Sequence, residues 1–480
     1  MRWRTCLLFA LGPLLGGCSL APAYHAPAVS ITDDAWKDTP WRTACPADDA
    51  PKGQWWRIYH DAQLDRLEEQ VERGNPDLAA ALARFEQAQA YTGQLRSGLY
   101  PGVDSGAGLT DNRQSDNRPL RGANQPNVYD ANSAGIGANF NLDLWGRVRS
   151  LVATGNAEAQ ASAADVENVR LGLQAQLAQD YIALRGVDAQ AKLLEDTIAA
   201  YSQALALTAR RHDGGIASGL DVARAETQLR SMRAEAAELA SQRALYEHAI
   251  ASLTGTAAMD FSIPISQQDL AVPGVPVGIP SALLQRRPDV AAAERRAAAA
   301  NSMIGAARAA FYPDFSLSAS YGFQNTGEAG LLTAPNTYWT LGPGMIFNLF
   351  DAGRREAKLT ESRASFEQAS AQYRSIVLAA FQQVQDDLSK LKFDRQGELE
   401  QDAAAEAAGV TLQLAGNRYR EGAVNYLEVV TAQAAALAAK RNALELHNRQ
   451  LRNSVDLIRA LGGGWSQQEP STSGAIASKQ

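Results

Sequence analysis

Four short windows of the chain alternate apolar residues with Gly, Ser and Asn. In 134–144, Ala134, Ile136, Ala138, Phe140, Leu142 and Leu144 share one parity, and Gly135, Gly137, Asn139, Asn141 and Asp143 take the other. In 315–323, Phe315, Leu317, Ala319, Tyr321 and Phe323 alternate with Ser316, Ser318, Ser320 and Gly322. Trp339, Leu341, Met345, Phe347 and Leu349 share a face in 339–349. The weakest window, 103–109, sets Val103, Ala107 and Leu109 against Asp104, Gly106 and Gly108. A period of two sends successive side chains to opposite faces of a strand. Strands are therefore predicted at about 102–110, 134–145, 314–323 and 338–350.

Most of the remaining chain has a period near 3.5. Tyr181, Leu184, Val187, Ala191, Leu194, Ile198, Tyr201 and Leu205 step by threes and fours, as do Val377, Phe381, Val384, Leu388 and Leu391. Leu427, Val430, Ala434, Leu437, Leu444, Leu451, Val455 and Ile458 keep one seam, with Arg441 and Asn448 at two of its positions. Such spacing predicts left-handed supercoiling against neighbouring helices. Helices are predicted over 76–97, 147–213, 220–253, 288–310, 354–418 and 427–460. The 19 prolines agree, since none lies between Pro126 and Pro264 or between Pro343 and Pro470, and proline breaks helix interiors. At 1.5 Å per residue each of the two longest tracts extends about 100 Å, unless it bends at Gly172, Gly186, Gly397 or Gly409. Ala-rich seams suit a layer one helix thick, wetted on one side, better than a solid bundle.

The order of elements occurs twice. Asn75-Pro76-Asp77-Leu78-Ala79-Ala80-Ala81 returns as Arg287-Pro288-Asp289-Val290-Ala291-Ala292-Ala293, and Leu99-Tyr100-Pro101 as Phe311-Tyr312-Pro313. Gly215-Ile216-Ala217-Ser218-Gly219-Leu220-Asp221-Val222 returns as Gly422-Ala423-Val424-Asn425-Tyr426-Leu427-Glu428-Val429. The chain divides into a first unit at 55–255, a linker at 256–287, a second unit at 288–465 and a tail at 466–480. Two copies make a duplication, not a solenoid.

Composition narrows the class. With 46% hydrophobic and 20% charged residues the chain is a folding one. A net charge of −7 argues against a nucleic-acid partner. Three cysteines make no disulfide framework. His25, His60, His212, His248 and His447 are scattered, as surface or packing residues. No Walker A loop, Gly-x-Ser-x-Gly elbow or paired-Cys metal site is present, so no enzyme, metal or cofactor is predicted. Acid pairs such as Asp386-Asp387 are assigned to solvated helix faces.

Residues 1–17 read as a signal peptide, in which Arg2 and Arg4 precede an apolar stretch too short to span a bilayer. Leu15-Gly16-Gly17-Cys18 resembles a bacterial lipobox. Cys18 is thus the expected site of lipidation by palmitate-type chains, and Ser19 in place of Asp implies the outer membrane. Multiple acyl chains anchor stably. A plain secretory signal is the alternative. Residues 18–54, rich in Pro, Ala and Asp, read as an extended tether pinned by Trp36, Trp41, Trp55 and Trp56. Cys45 has no partner in its own chain.

About ten residues of alternation is the signature of a transmembrane strand. Tyr100, Trp145, Tyr312, Tyr338, Trp339 and Phe350 fit interfacial girdles. Four strands cannot close a barrel, and lipid tolerates no open sheet edge. Several copies must therefore pool their strands. Two copies would make an eight-stranded barrel filled by side chains, and three a twelve-stranded one with a lumen. The polar faces favour three. A soluble sheet with one face buried is the alternative.

Taken together these features resemble the outer-membrane efflux protein family, the TolC-like channels, in its lipidated OprM/NodT-type branch. The resemblance runs from about Trp55 to Trp465. It rests on the duplicated strand–strand–helix–helix unit, the two Tyr-Pro junctions and the motifs at 215–222 and 419–429. It implies a mainly α fold with a transmembrane β-barrel part. The family forms a homotrimer, its 12-stranded barrel (four strands per chain) standing on a long α-helical coiled-coil tunnel. It also implies a passive role in the bacterial outer membrane, as the exit duct of a tripartite efflux pump that passes small molecules such as drugs to the exterior. The implied partners are a periplasmic adaptor (membrane fusion) protein, an inner-membrane transporter of RND or MFS type, and outer-membrane lipid. The exit duct of a type I protein-secretion system and a soluble coiled-coil scaffold are the alternatives, and the lipobox favours efflux over secretion.

The helix–helix turns carry the candidate chemistry. Ser218 and Asn425 each stand three residues before an acid, as N-caps with Asp221 and Glu428 at N3. The helix dipole makes each acid worth about 0.3–1 kcal/mol there. In a three-fold assembly an inward acid also forms a ring of like charges that attracts cations. The resemblance implies a constriction at the second turn, with Leu427 as an apolar ring and Glu428 as an acidic one. Thr431 stands where family members place Asp. The resemblance also implies a tip lock of Tyr419 with Asp221, and Val424 stands where a locking Arg would be. The adaptor's helical hairpin is expected on the turns 214–219 and 421–425, at Gly215, Ile216, Ser218, Gly219, Gly422, Ala423, Val424 and Asn425.

Overall fold

The computed structural model describes residues 20–28, 53–118, 126–266, 270–273, 287–327 and 330–463. The signal segment, Cys18, Trp36, Trp41, Cys45 and the tail 466–480 lie outside the described residues. Among those described, the helices are α1 (Ala62–Gly74), α2 (Pro76–Ser97), α3 (Arg147–Asp213), α4 (Gly219–Leu253), α5 (Pro288–Ala309), α6 (Arg354–Arg420) and α7 (Tyr426–Ala460). The strands are β1 (Gly102–Arg113), β2 (Val128–Leu142), β3 (Asp314–Asn325) and β4 (Thr337–Ile346). α3 and α6 have 67 residues each and run unbroken through all four candidate bend glycines. No described helix is long and apolar enough to cross a membrane. The chain forms two compact units, one from Met1–Ala28, Ala83–Ala163 and Ala292–Arg374, the other from Val29–Leu82, Ala164–Ala291 and Ser375–Gln480. Each unit takes segments from both halves of the duplication.

The first unit contains the sheet, whose strands lie in the order β1-β2-β3-β4, all antiparallel. Register places the two parities on separate faces. Val103, Ala138, Ala319 and Leu341 form one cross-strand row, and Ser105, Ile136, Tyr321 and Trp339 the next on that face. The alternate rows are Asp104, Gly137, Ser320 and Thr340, and Gly102, Asn139, Ser318 and Gly342. Val103, Ile136, Tyr321, Trp339 and Leu341 are all exposed in the single chain, an apolar face that demands lipid or protein cover.

β2 starts at Val128, six residues before the expected start at 134, because β1 continues to Arg113 and the two ends pair. Residues 128–133 carry no apolar alternation that could have signalled this. β4 ends at Ile346, opposite Asp314, so Phe347–Phe350 leave the ladder where Pro313 ends β3. Pro343, which has no N–H to donate, sits on this edge strand, where a proline is tolerated. Trp145 stacks on Tyr312 with ring centroids 4.8 Å apart, and its indole N–H donates to the Pro313 carbonyl at 2.8 Å.

The N-terminal residues 20–24 lie along α5 in the same unit. Arg308 donates to the Leu20 carbonyl at 3.2 Å, Asn301 to the Pro22 carbonyl at 2.9 Å, and Tyr24 Oη to the Glu294 carbonyl at 3.2 Å. Gly305 admits this segment, since a Cβ there would come within 2.7–2.8 Å of Ala21.

The second unit holds the main apolar core. A 3-10 turn at Trp55–Tyr59 buries Trp55, Trp56 and Tyr59, which join Leu64, Leu67 and Val71 of α1, Leu177, Tyr181 and Leu184 of α3, and Val455 and Ile458 of α7. Asp61 caps α1 through Gln63 and Leu64, and accepts from Tyr181 Oη at 2.7 Å. Of the expected seam on α7, Val455 and Ile458 are buried, but near the start of the helix the buried stripe is offset. Tyr426, Val429, Gln433 and Ala436 face inward, while Leu427 and Ala434 are exposed. The large Tyr426 ring takes the inward place and turns Leu427 outward. The two polar seam residues have partners: Asn448 donates to the Ile182 carbonyl at 2.7 Å over the notch at Gly186, and Arg441 pairs with Glu235. Asp387, expected on a solvated face, is buried and paired with Lys390. The described linker is clasped by charge. Asp188 holds Arg185 and Arg243, which donate to the carbonyls of Pro264 and Ile263. His447 bridges Glu398 and the Leu270 carbonyl, at 3.0 Å each.

Candidate functional site

The two helix–helix turns of the second unit are built alike. α3 ends at Asp213 and Gly215 follows with φ of 76°; α6 ends at Arg420 and Gly422 follows with φ of 78°. Only glycine reaches this left-handed region without strain. In each turn the next amide bonds five residues back, Ile216 to the Arg211 carbonyl at 2.8 Å and Ala423 to the Arg418 carbonyl at 2.9 Å. Each glycine N–H bonds three residues back. This is the Schellman closure, and it satisfies helix-end carbonyls without a side chain. Three residues after each glycine comes the cap of the next helix, Ser218 for α4 and Asn425 for α7.

The two caps differ in what the N3 acid does. Asp221 turns back to the Ser218 amide and hydroxyl, at 3.3 and 2.9 Å, while Ser218 Oγ accepts from the Asp221 amide. Its carboxylate is thus spent in a capping box. Glu428 donates its backbone N–H to Asn425 Oδ1 at 3.4 Å, and its carboxylate lies 3.6 Å from Arg418. Both partners of that pair are more than half exposed, so the contact is worth little. Glu428 is free to meet solvent or a cation.

Behind the turns lies a small core of Ala225, Tyr419, Tyr426 and Val429, packed by Leu205, Leu207 and Val424. The Tyr419 and Tyr426 rings are 5.4 Å apart. Burial pushes the Tyr426 hydroxyl up to about 12, with Tyr419, Tyr201 and Asp221 adding to it. Thr208 donates its hydroxyl to the Ala204 carbonyl at 2.9 Å, so Tyr419 is the donor in its 3.4 Å contact with Thr208 Oγ1. Within the chain, then, Tyr419 pairs with Thr208 and not with Asp221. The reason is the capping box, which holds the Asp221 carboxylate on its own helix start.

Arg211 is the residue that sequence reasoning missed. Its guanidinium lies 4.8 Å from the Tyr419 ring centroid, and it donates to the carbonyls of Tyr419 at 2.7 Å and Arg420 at 3.4 Å. It ties the end of α3 to the end of α6. The only signal was the basic last turn of α3, Arg210, Arg211 and His212, which also serves the helix dipole.

The predicted constriction residues come together. Leu427, Glu428 and Thr431 share one exposed face at the start of α7, while the adjoining Tyr426 and Val429 are buried. Thr431 Oγ1 is spent on the Leu427 carbonyl at 2.9 Å. On the turns Gly215, Ile216, Ser218, Gly219, Gly422, Ala423 and Asn425 are exposed, and Val424 is half-buried in the Tyr419 core. Among the described residues no group of three His, Cys, Asp or Glu could hold a metal ion.

An antiparallel four-stranded sheet with one apolar and one polar face, joined to 67-residue helices, defines a TolC-like outer-membrane channel protomer. The chain belongs to the outer membrane efflux protein family, whose profile matches residues 67–256 and 279–463. It is 32% identical to outer membrane protein OprJ of Pseudomonas aeruginosa over 96% of each chain. It is also 32% identical to the antibiotic efflux pump outer membrane protein ArpC of Pseudomonas putida, over 95% of this chain and 94% of that one. The solved outer-membrane channel OprN superposes with a TM-score of 0.84 at 29% identity, covering 93% of this chain and all of that one. The chain is thus an outer-membrane exit duct of efflux-pump type. Its family is one of passive channels, and the soluble-scaffold alternative falls with that membership.

Proposed function

We propose that the chain works as a homotrimer that exports small organic molecules passively, with the α6–α7 turn as its gated periplasmic constriction. Three four-stranded sheets close a 12-stranded barrel, which removes the unpaired edges of β1 and β4 that lipid would not tolerate. The observation that carries the gate is the exposed face of Leu427, Glu428 and Thr431, set beside buried Tyr426 and Val429. Three-fold symmetry turns that face into an apolar ring next to an acidic one, which favours cations. Arg211 and Tyr419 latch the turn in its closed form. The exposed turns 214–219 and 421–425 receive the adaptor's helical hairpin, and an RND or MFS transporter supplies the energy. The name of ArpC supports drug-like cargo. Lipidation of Cys18 is supported by the clasped residues 20–24, which bring the chain to the Arg308 end of α5, next to the start of β3.

Single-channel recording in planar bilayers tests this reading. Arg211→Ala is expected to raise conductance by loosening the latch, and Glu428→Gln to lower the cation preference. Purified protein that forms no conducting trimer, or a channel indifferent to both substitutions, would overturn it.

A further inference from the structure

One cross-strand row of the sheet is almost without side chains. Gly106, Gly135 and Gly322 stand opposite one another on β1, β2 and β3, and Tyr338 completes the row on β4. A Cβ at Gly322 would lie 2.9 Å from Tyr338 Cε1, and also 2.6 Å from the Ala134 carbonyl oxygen and 2.8 Å from Gly135 Cα, and one at Gly135 would lie 2.8 Å from Tyr338 Oη. The ring therefore lies down along the row, over β3 and onto β2, rather than standing off the sheet. Gly322 is in consequence the one buried residue in the four strands. Beyond the hydroxyl, a Cβ at Gly106 would meet nothing, so the recess continues open across β1.

Glycine weakens a strand interior, and where it persists it marks a close approach. Here the approaching groups are the β2 backbone at Ala134 and Gly135 and an aromatic ring from β4. The row has the parity of Asp104, Gly137, Ser320 and Thr340, the polar face, and not that of Ile136, Tyr321 and Trp339. In the proposed barrel Tyr338 accordingly faces the lumen. Its neighbours along that face are small or polar, so the ring is the bulkiest group on those rows.

We propose that Tyr338 and its glycine recess set the aperture of the barrel. Three rings, one per chain, lie flat against the wall and leave the lumen wide, and a ring lifted out of the recess narrows it. Passage of bulky cargo through the barrel then depends on Gly135 and Gly322, which touch no cargo themselves. This inference rests on the trimeric-barrel reading.

Graded neutral polyethylene glycols, added from the barrel side of a planar bilayer, report that aperture separately from the α6–α7 constriction. Gly322→Leu fills the recess, and the largest polymer admitted is expected to become smaller. Tyr338→Ala in the same chain is expected to raise the cut-off again, although the contacts with the Ala134 and Gly135 backbone stay. Gly135→Ala meets the hydroxyl at 2.8 Å, ahead of the Tyr321 carbonyl oxygen at 3.0 Å and Gly322 Cα at 3.3 Å, so Tyr338→Phe removes the tightest of its contacts and is expected to relieve it. Tyr338→Ala alone leaves the cut-off close to wild type, because the seated ring does not occupy the lumen. Should Gly322→Leu fail to give heat-modifiable trimers, the Gly135→Ala and Tyr338→Phe pair decides. A cut-off unmoved by either glycine substitution, or moved but not raised again by the tyrosine change, overturns the aperture. A wild type that does not conduct overturns the channel reading and the aperture with it.

Discussion

At the scale of single residues, Glu68 is the sharpest conflict between side chain and surroundings. It lies on α1 with no exposed surface, and neither carboxylate oxygen has a hydrogen-bond partner. Burial, then the nearby charges of Asp65 and Glu72, hold its carboxyl well above the usual carboxylate range. The folded form therefore keeps the proton more tightly than the unfolded chain does. Its relative stability is full below the unfolded carboxylate range and is lost as pH rises toward the folded value. Glu68→Met, of similar volume and without polar atoms, is expected to stabilise the fold at pH 8 by about 1–3 kcal/mol, the cost of a buried polar group left unmade. The gain should shrink toward pH 5. Thermal unfolding followed by helix content at both pH values checks this, and an equal gain at both would reject the buried-acid account. Nothing in the sequence around Glu68 announced this, since a glutamate in an amphipathic helix reads as surface. The tip acids were more legible, because Ser218-x-x-Asp221 and Asn425-x-x-Glu428 are local patterns. Arg211 was not legible, because its partners are carbonyls more than 200 positions away, which no spacing rule encodes.

Among elements, helix ends came through closely, because proline, glycine and cap residues mark them locally; α2 and α3 have the expected bounds. Strand ends did not, because they depend on the partner: β2 gains Val128–Ser133 from a β1 longer than its own alternation suggests. The offset stripe on α7 has a similar origin, since apolarity cannot say which of Tyr426 and Leu427 turns inward. The docking of residues 20–24 on α5 was equally hidden. Its key is Gly305, whose missing side chain makes room for Ala21, and a small residue inside an Ala-rich helix has no distinctive pattern. Gly305→Leu is expected to expel this segment while leaving α5 and the sheet intact. Limited proteolysis should then cut near Tyr24 in the variant and spare it in the wild type. Asn301→Ala, which removes one hydrogen bond to the Pro22 carbonyl, should loosen the segment by only about 0.5–1.5 kcal/mol. Equal protection of all three proteins would mean that the clasp is not what holds the segment.

For the whole molecule, the decisive property is which face of the sheet meets lipid. Thr340 and Leu341 are adjacent on β4, yet pairing sets them in different rows, Thr340 with Ser320, Gly137 and Asp104, and Leu341 with Ala319, Ala138 and Val103. Substituting arginine at either position adds the same charge and bulk to the same strand, so any difference reports the surroundings alone. On a lipid-facing site near the bilayer midplane an arginine costs about 2–4 kcal/mol, whereas on a lumenal site it alters selectivity with little effect on stability. Leu341→Arg should therefore reduce the yield of heat-modifiable trimers, and three copies per barrel multiply the penalty. Thr340→Arg should assemble normally and shift the channel away from cations, adding a positive charge to the face that carries Asp104 at the far end of the same row. The reverse outcome would turn the sheet inside out. It would also move Tyr338 and its glycine recess from the lumen to the lipid, so the facing of this one strand bears on the barrel and on its aperture together.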